Sequence, residues 1–213
     1  MLAFDTATPA VTVAVHDGAA ALSSSTVIDA RRHGELLAPA IDGVLREAAV
    51  DRRELTDIAV GVGPGPYTGL RVGLMTARTI GSVLGLRVHG VCTLDVLAYE
   101  CRLDEPFIVA VDARRKEVYW ARYGVDHRRE TDLAVDKPAD VEVGGLPAVG
   151  QGALLYPEAF PDERPPTYPS ATVLGQLAAE RLAAGETLAP PDPLYLRRPH
   201  AAAPGPRKQV TPA

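Results

Sequence analysis

The sequence carries the same short design in both of its halves: an apolar strand that ends in an aspartate, a polar turn, and a second strand. The first copy is LAFDTATPAVTVAV and the second is FIVAVDARRKEVYWARYG, with Asp5 and Asp112 in matching places. In each copy a valine, Val11 or Val118, stands six positions after the aspartate. Alternating polarity around a turn is typical of a β-hairpin. Two such hairpins favour a fold built from two copies of one unit, with a chance match between common hairpins as the alternative.

Helical and extended patterns alternate between the hairpins. Residues 33–50 place apolar side chains at helical spacing, and residues 56–73 indicate a buried strand, a glycine-rich loop and the start of a second helix. A short strand (RVHGV) and a helical segment (CTLDVLAYEC) follow. This order predicts an α/β fold on a mixed sheet. In the second half the segment ATVLGQLAAERLAA indicates a helix, and the tail 200–213 is expected to be disordered.

Composition argues against several functions. The formal net charge of -5 is unlike the basic footprint of a nucleic-acid-binding domain, so we do not expect the chain itself to bind nucleic acid over a broad surface. No apolar stretch approaches the ~20 residues of a spanning helix, and no basic segment opens the chain, which predicts a cytoplasmic protein with no membrane contact. Cys92 and Cys101 fit neither a disulfide framework nor a zinc site, so we interpret both as reduced thiols.

The most distinctive stretch is the glycine-rich loop GVGPGPYTGLR. Backbone N–H groups at the start of a helix can bind an anion, but the loop matches neither the Walker motif nor the dinucleotide fingerprint. A tight strand-to-helix turn with no ligand is the alternative. In the helix that follows, small residues recur every four positions, at Gly69, Gly73, Ala77, Gly81 and Gly85. Each interior glycine costs ~1 kcal/mol relative to alanine, so we expect close packing against this stripe, either by the protein's own sheet or by a helix of another subunit.

Asp5 and Asp112 each end a strand and enter a polar turn. Carboxylates at such places can hold a metal ion or orient a phosphate. The alternative is a structural role, in which each carboxylate caps its own turn by accepting backbone hydrogen bonds. The basic residues 114–116 of the second turn are expected at a solvated hairpin tip, because three charges give little affinity for RNA phosphates.

Taken together, the segments LAFDTATPAVTVAV, GVGPGPYTGLRVG, VDARRKEVYWARY and DPLYLRR resemble the TsaB family, also called YeaZ, over the chain to about Arg198. The resemblance implies the α/β fold shared by actin, sugar kinases and heat-shock chaperone ATPases, which is ribonuclease H-like, with two lobes that each open with a β-hairpin. It also implies a non-catalytic subunit that binds and activates the catalytic paralogue TsaD, which installs N6-threonylcarbamoyladenosine at position 37 of tRNA. TsaE is implied as a further partner, and tRNA is expected to be contacted only indirectly, through the complex.

The resemblance also indicates what this sequence lacks. The catalytic paralogue carries an HxxxH metal motif after a Gly-Val pair, and Thr93 and Leu97 stand at the two matching positions here. Neither side chain can bind iron or zinc in that role. The glycine-rich phosphate turn of nucleotide-binding relatives is replaced by Ala-Arg-Arg-Lys after Asp112. We therefore expect a vestigial site with no metal and no cofactor in the isolated chain, and a nucleotide at the interface with TsaD stays an open alternative.

We expect a partner-binding N-terminal lobe over residues 1–102, a reduced C-terminal lobe over residues 103–199, and a tail over residues 200–213. Helices near residues 34–49 and 68–85 are expected to pack on equivalent helices of TsaD, and the same patch should form a homodimer of the isolated chain. The predicted partner-binding residues are Leu36, Leu37, Ile41, Val44, Gly69, Gly73 and Ala77. The predicted vestigial nucleotide or anion contacts are Asp5, Thr6, Gly63, Gly65, Thr68, Arg71 and Asp112.

Three other functions remain as alternatives. An active ATPase or small-molecule kinase of the same fold would use Asp5, Thr6 and the loop 63–69. A metallopeptidase would need a cluster of metal ligands, which the scattered histidines do not provide. A nucleic-acid-binding module is disfavoured by the net charge and by the lack of interleaved aromatic and basic residues.

Overall fold

The structure is a computed structural model that describes residues 1–196, so the predicted disordered tail 200–213 lies outside the described residues. The strands are β1 Leu2–Asp5, β2 Ala10–His16, β3 Ala21–Ile28, β4 Asp57–Gly61, β5 Arg87–Val91, β6 Phe107–Asp112, β7 Val118–Tyr123, β8 Ala134–Asp136, β9 Ala148–Val149 and β10 Glu163–Arg164. The α-helices are α1 His33–Glu47, α2 Tyr67–Leu84, α3 Thr93–Glu100, α4 Gln151–Leu155 and α5 Ala171–Ala183. Over residues 1–196, none of the helices has the length and apolar character needed to cross a membrane.

The first sheet contains β1 to β5 in the order β3-β2-β1-β4-β5. β1 and β2 form an antiparallel hairpin with Asp5 opposite Thr12. β4 runs parallel to β1, and β5 runs parallel to β4. Parallel strands end at the same edge of a sheet, so the hairpin turn after β1 and the glycine-rich loop after β4 lie side by side. In open α/β sheets this carboxyl edge is where ligands usually bind.

The second sheet repeats the topology of the first. Its order is β10-β9-β6-β7-β8, in which β6 and β7 form an antiparallel hairpin with Asp112 opposite Val118. β9 runs parallel to β6, just as β4 runs parallel to β1. The order β8-β7-β6-β9-β10 therefore matches β3-β2-β1-β4-β5 strand for strand. This match confirms the predicted actin-like fold of two lobes that each open with a β-hairpin.

Helices and sheets alternate in layers. α1 and α2 cover one face of the first sheet, over buried residues such as Leu2 and Phe4. α5 covers the opposite face, where Ala3 is buried. α3 packs against Phe107 on the second sheet, and α4 covers the far face of that sheet over Ile108. Because α3 and α5 also contact each other, these two helices lie between the two sheets.

The two lobes exchange helices. α3 belongs to the first half of the sequence but packs on the second sheet, and α5 belongs to the second half but packs on the first sheet. Each lobe therefore needs a helix from the other side of the predicted boundary between residues 102 and 103. The domain limits themselves stay a prediction.

The third strand, β3, was not predicted. Its sequence ALSSSTVI alternates between half-buried and exposed positions along its whole length. Residues 23–26 are four consecutive polar residues, so alternation of polarity was weak as a sequence signal. Pairing with β2 from Ala10 opposite Ile28 onwards stabilises the strand, which means that tertiary contacts decide its conformation.

Candidate functional site

Asp5 is the centre of a buried hydrogen-bond cluster at the carboxyl edge of the first sheet. Its Oδ1 accepts a hydrogen bond from the Ala7 N–H at 2.6 Å, and its Oδ2 accepts one from the Thr93 hydroxyl at 2.7 Å. Thr93 Oγ1 also accepts the Gly63 N–H at 3.2 Å, and the Thr93 N–H donates to the Gly63 carbonyl at 2.8 Å. Asp5 and Thr93 are both 0% exposed. The cluster therefore joins the first hairpin, the glycine-rich loop and the start of α3.

The environment of Asp5 suits a structural carboxyl group. Burial raises the pKa of Asp5 above its ordinary value, because hydrogen bonds from Thr93 and Ala7 replace only part of the lost hydration. A Cβ atom on Gly61 would overlap the Asp5 carboxylate, so the backbone of β4 lies directly against it. The hydrogen bond from Ala7 confirms the interpretation in which Asp5 caps its own turn.

Thr6 positions α2 against the first sheet. Its hydroxyl donates to the Gly69 carbonyl at 2.8 Å and accepts the Gly73 N–H at 3.0 Å. A Cβ atom on Gly73 would lie 2.5 Å from Thr6 Oγ1, and a Cβ atom on Gly69 would lie 2.5 Å from the Thr6 carbonyl oxygen. A Cβ atom on Gly81 would lie 2.5 Å from Cγ2 of Val88 in β5. The small-residue stripe of α2 therefore packs on the protein's own sheet.

Five of the seven predicted partner-binding residues need correction, because the protein buries them in its own core. A side chain in that core cannot contact a partner unless its helix leaves the sheet. These five residues are Leu37, Val44, Gly69, Gly73 and Ala77. Ile41 is 8% exposed and also lines a groove between α1 and α2. Leu36 is partly accessible, and it packs against the same core.

The opposite side of α2 presents an exposed ridge that the sequence interpretation missed. The residues of this α2 ridge recur at a spacing of four, at Tyr67, Arg71, Met75, Thr79 and Val83. Residues four apart lie along one ridge of a helix. Met75 is 51% exposed and Val83 is 77% exposed. The spacing was visible in the sequence, but nothing in that pattern alone says which of two four-residue ridges faces the sheet.

A groove lies between α1 and α2 beside this ridge. Its volume is about 620 Å³, and apolar side chains from both helices line it, including Leu45, Ile80 and Val83. Charged groups are also present in the lining, from Asp42, Arg52 and Arg53. Exposed apolar side chains next to an apolar groove are characteristic of a surface that contacts another protein.

A smaller cavity, of about 310 Å³, lies where the two hairpin turns meet. Thr6 and Thr68 line it, together with Arg31 and with Arg114 from the second turn. Of the seven predicted ligand contacts, these two threonines are the ones that the structure brings to this cavity. The predicted contacts outside its lining are Asp5, Gly63, Gly65, Arg71 and Asp112.

Gly65 and Arg71 make local contacts. A Cβ atom on Gly65 would overlap the carbonyl of Ala7 in the first hairpin turn, so the glycine-rich loop packs directly on that turn. Arg71 donates from Nη1 to the Tyr67 hydroxyl, and its Cζ lies 5.1 Å from the centroid of that ring. The loop glycine thus lets the loop pack on the first hairpin turn.

Asp112 repeats the capping role of Asp5 in the second hairpin. Its Oδ1 accepts the N–H of Arg114 at 2.8 Å, two residues ahead, as the Asp5 carboxylate accepts that of Ala7. The basic residues 114–116 are exposed at the tip of this turn, which confirms the predicted hairpin tip. The two aspartates thus hold equivalent positions and both stabilise their own turns.

The two positions matched to metal ligands are occupied by other contacts. Thr93 binds Asp5, and Leu97 is 0% exposed in the apolar cluster around Phe107. Among residues 1–196, no group of three or more histidine, cysteine or acidic side chains could hold a metal ion.

Comparison with known proteins gives matches over most of the chain. A family model described as TsaD: tRNA N6-adenosine threonylcarbamoyltransferase matches residues 27–179. An uncharacterized protein of Mycobacterium tuberculosis is 43% identical over 207 residues, which cover 94% of this chain and 93% of that protein. The tRNA threonylcarbamoyladenosine biosynthesis protein TsaB of Escherichia coli is 30% identical over 220 residues, covering 92% of this chain and 94% of its own length.

A solved structure extends the similarity to three dimensions. YeaZ from Pseudomonas aeruginosa superposes with a TM-score of 0.79 at 32% identity, covering 92% of this chain and 98% of that chain. Because the coverage is nearly complete on both sides, the similarity includes both lobes.

Proposed function

The chain belongs to the TsaB family, also called YeaZ, and from this premise we propose that it is a non-catalytic subunit that binds and activates TsaD. The Escherichia coli member is a tRNA threonylcarbamoyladenosine biosynthesis protein, and this chain has a role in the same biosynthesis. The match to the TsaD family model reflects a related fold.

The observation that carries the non-catalytic part of the proposal is the hydrogen bond between Thr93 and Asp5. A carboxylate that acts on a metal ion or a phosphate must present an oxygen to that ligand. Both oxygens of Asp5 accept hydrogen bonds inside the protein, and the residue is 0% exposed. Leu97 offers no ligand atom. These contacts support a subunit whose catalytic edge has become structural.

The binding part of the proposal rests on the α2 ridge and the groove beside it. Met75 and Val83 are exposed apolar side chains, and burying such surface is favourable. The proposed occupant is the equivalent pair of helices of TsaD, because two related folds present related helices. In the absence of TsaD, a second copy of this chain would cover the same surface and form a homodimer.

The proposal also fixes the roles of the other components. TsaE joins the pair of subunits, and tRNA is held by the partner, in keeping with the net charge of -5 on this chain. No cofactor is assigned to the isolated chain, and any nucleotide of the complex is placed at the interface with TsaD.

Charge placed on the α2 ridge tests the binding. Met75→Glu and Val83→Glu put an unpaired carboxylate at the proposed contact, and burial of an unpaired charge costs roughly 2 kcal/mol or more. We expect the Kd for TsaD of the same bacterium, measured by calorimetry, to rise at least about 30-fold. Val125→Glu is the matched control, because Val125 is 60% exposed in the second lobe.

The result that contradicts the proposal is binding of TsaD at wild-type affinity by both ridge variants while they remain folded. Turnover of ATP or of a tRNA substrate by the purified chain alone would contradict its non-catalytic part. In the isolated chain, the same ridge variants should shift the sedimentation of the homodimer to that of the monomer.

A further inference from the structure

The segment of residues 188–196 returns from α5 across the first lobe, and we call it the C-terminal strap. Two backbone hydrogen bonds hold it to the carboxyl edge of the first sheet. The Gly90 N–H donates to the Ala189 carbonyl at 2.7 Å, and the Leu194 N–H donates to the Val62 carbonyl at 2.9 Å. The strap therefore lies at the edge where α/β sheets usually hold a ligand.

Gly90 permits this close approach. A Cβ atom on Gly90 would lie 2.6 Å from the Pro190 carbonyl oxygen and 3.2 Å from that of Ala189. Both contacts are to backbone, which cannot rotate away as a long side chain can. The end of β5 is thus shaped to receive the strap.

Leu194 connects the two lobes. It packs against the apolar cluster between the first sheet and helices α1 and α2, and also against the cluster around Phe107 on the second sheet. Leu196 packs against the second of these clusters, and Leu188 packs against the cluster beneath α5. One short segment therefore contacts three cores of the protein.

The strap also holds side chains of α2. Arg78 donates from Nη2 to the Pro191 carbonyl at 2.8 Å and forms an ion pair with Asp192. Tyr195 stacks on Tyr67, the first residue of the α2 ridge, with ring centroids 5.7 Å apart and an interplanar angle of 25°. Both contacts lie on the exposed side of α2, where Tyr67 is 58% exposed and Tyr195 is 49% exposed.

We propose that the C-terminal strap is an intramolecular clamp that fixes the two lobes relative to each other and pre-organises the α2 ridge for its partner. Backbone bonds anchor it on the first lobe, and Leu194 and Leu196 anchor it in the core of the second. Tyr195 extends the partner-binding surface from α2 onto the strap. The part of the inference that concerns the partner rests on the proposed function. A surface that is already ordered binds more tightly, because less conformational entropy is lost on association.

Leu194→Ala in the full chain tests the clamp, with Leu155→Ala on α4 as the matched control because Leu155 is 47% exposed. We expect hydrogen exchange at the Gly90 amide to become about tenfold faster, since its acceptor Ala189 is released when the leucine anchor is lost. Exchange in β1 should stay unchanged. The Kd for TsaD should also rise about tenfold, because the α2 ridge would be less ordered before it binds. This effect would be indirect, since Leu194 itself is partly buried.

Asp192→Asn is a second variant, and it leaves the apolar contacts of the strap intact. It weakens only the exposed ion pair with Arg78, so we expect about a threefold rise in the Kd for TsaD. If Leu194→Ala speeds exchange at Gly90 but neither variant changes the Kd for TsaD, the link between the clamp and the ridge is overturned. Unchanged exchange in Leu194→Ala would overturn the clamp itself. Met75→Glu separates failure of the clamp from failure of the proposed function. It should raise the Kd for TsaD at least about 30-fold while exchange at Gly90 stays at the wild-type rate, and an unchanged Kd would count against the proposed function alone.

Discussion

The contact between Thr6 and Gly73 predicts that Gly73→Ala destabilises the wild-type protein but stabilises a variant that lacks the Thr6 hydroxyl. Gly73→Ala adds a methyl group that would lie 2.5 Å from Thr6 Oγ1. Thr6→Ala removes that oxygen. Once Oγ1 is gone, the nearest atoms are Thr6 Cβ at 3.7 Å and Val60 Cγ2 at 3.8 Å, which are ordinary van der Waals contacts. The two substitutions should therefore compensate each other.

The magnitudes follow from the contacts. Thr6→Ala deprives the buried Gly69 carbonyl and Gly73 N–H of their side-chain partner, at a cost of about 1–3 kcal/mol. In the wild-type background, Gly73→Ala costs about 1–3 kcal/mol through the clash, and the helix recovers ~1 kcal/mol of that because alanine replaces glycine. In the Thr6→Ala background only the ~1 kcal/mol gain remains. The coupling energy between the two positions should thus be about 1–3 kcal/mol.

Urea unfolding followed by circular dichroism measures the four free energies of unfolding of this double-mutant cycle. Thr6→Ser is the control, because it keeps the hydroxyl and should keep the full cost of Gly73→Ala. If Gly73→Ala changes the free energy of unfolding by the same amount in both backgrounds, within about 0.5 kcal/mol, the hydroxyl of Thr6 does not set the approach of α2.

Three further outcomes are expected. Burial raises the pKa of Cys92 to about 12 and that of Cys101 to about 11, so neither thiol should react with a disulfide reagent at pH 8 until urea unfolds the chain. The raised pKa of Asp5 means that its contribution to stability is fully present below its unfolded pKa of about 3.9 and is lost as pH rises through the folded pKa. The free energy of unfolding of the wild type relative to Asp5→Asn should accordingly fall with rising pH above about 4, and parallel curves would refute this. Gly150→Ala should lower the free energy of unfolding by at least about 2 kcal/mol, as measured by thermal unfolding. The reason is that φ at Gly150 is +98° and a Cβ atom there would overlap the Ala110 carbonyl.

The duplication could be predicted from the sequence because its signal is local. Asp5 and Asp112 each end an apolar strand and precede a turn, and this pattern needs no knowledge of distant contacts. The exchange of α3 and α5 between the lobes could not be predicted in the same way. Helical periodicity identifies which side of α5 is apolar but does not say which of the two sheets that side covers. Only the packing of α5 on β1 and β2 in the folded protein shows this.

The orientation of α2 shows where sequence patterns become ambiguous at the candidate site. Gly73 and Met75 belong to two sets with identical four-residue spacing, and close packing explains glycines equally well at a sheet or at a second helix. The hydroxyl of Thr6 resolves the choice, because it binds Gly69 and Gly73 at once. That contact joins residues more than sixty positions apart in the chain, so no local pattern contains it.

Packing also predicts that a single substitution would not open the carboxyl edge of the first sheet to a ligand. Thr93→Val would free Oδ2 of Asp5 from its hydrogen bond, but the carboxylate would still lie against the backbone at Gly61. Opening that position would require β4 to move, and β4 is held in the sheet between β1 and β5. The strap closes the same edge from outside through Gly90 and Leu194. The carboxyl edge of the first sheet is therefore closed by several contacts that support one another, and a single substitution would remove only one of them.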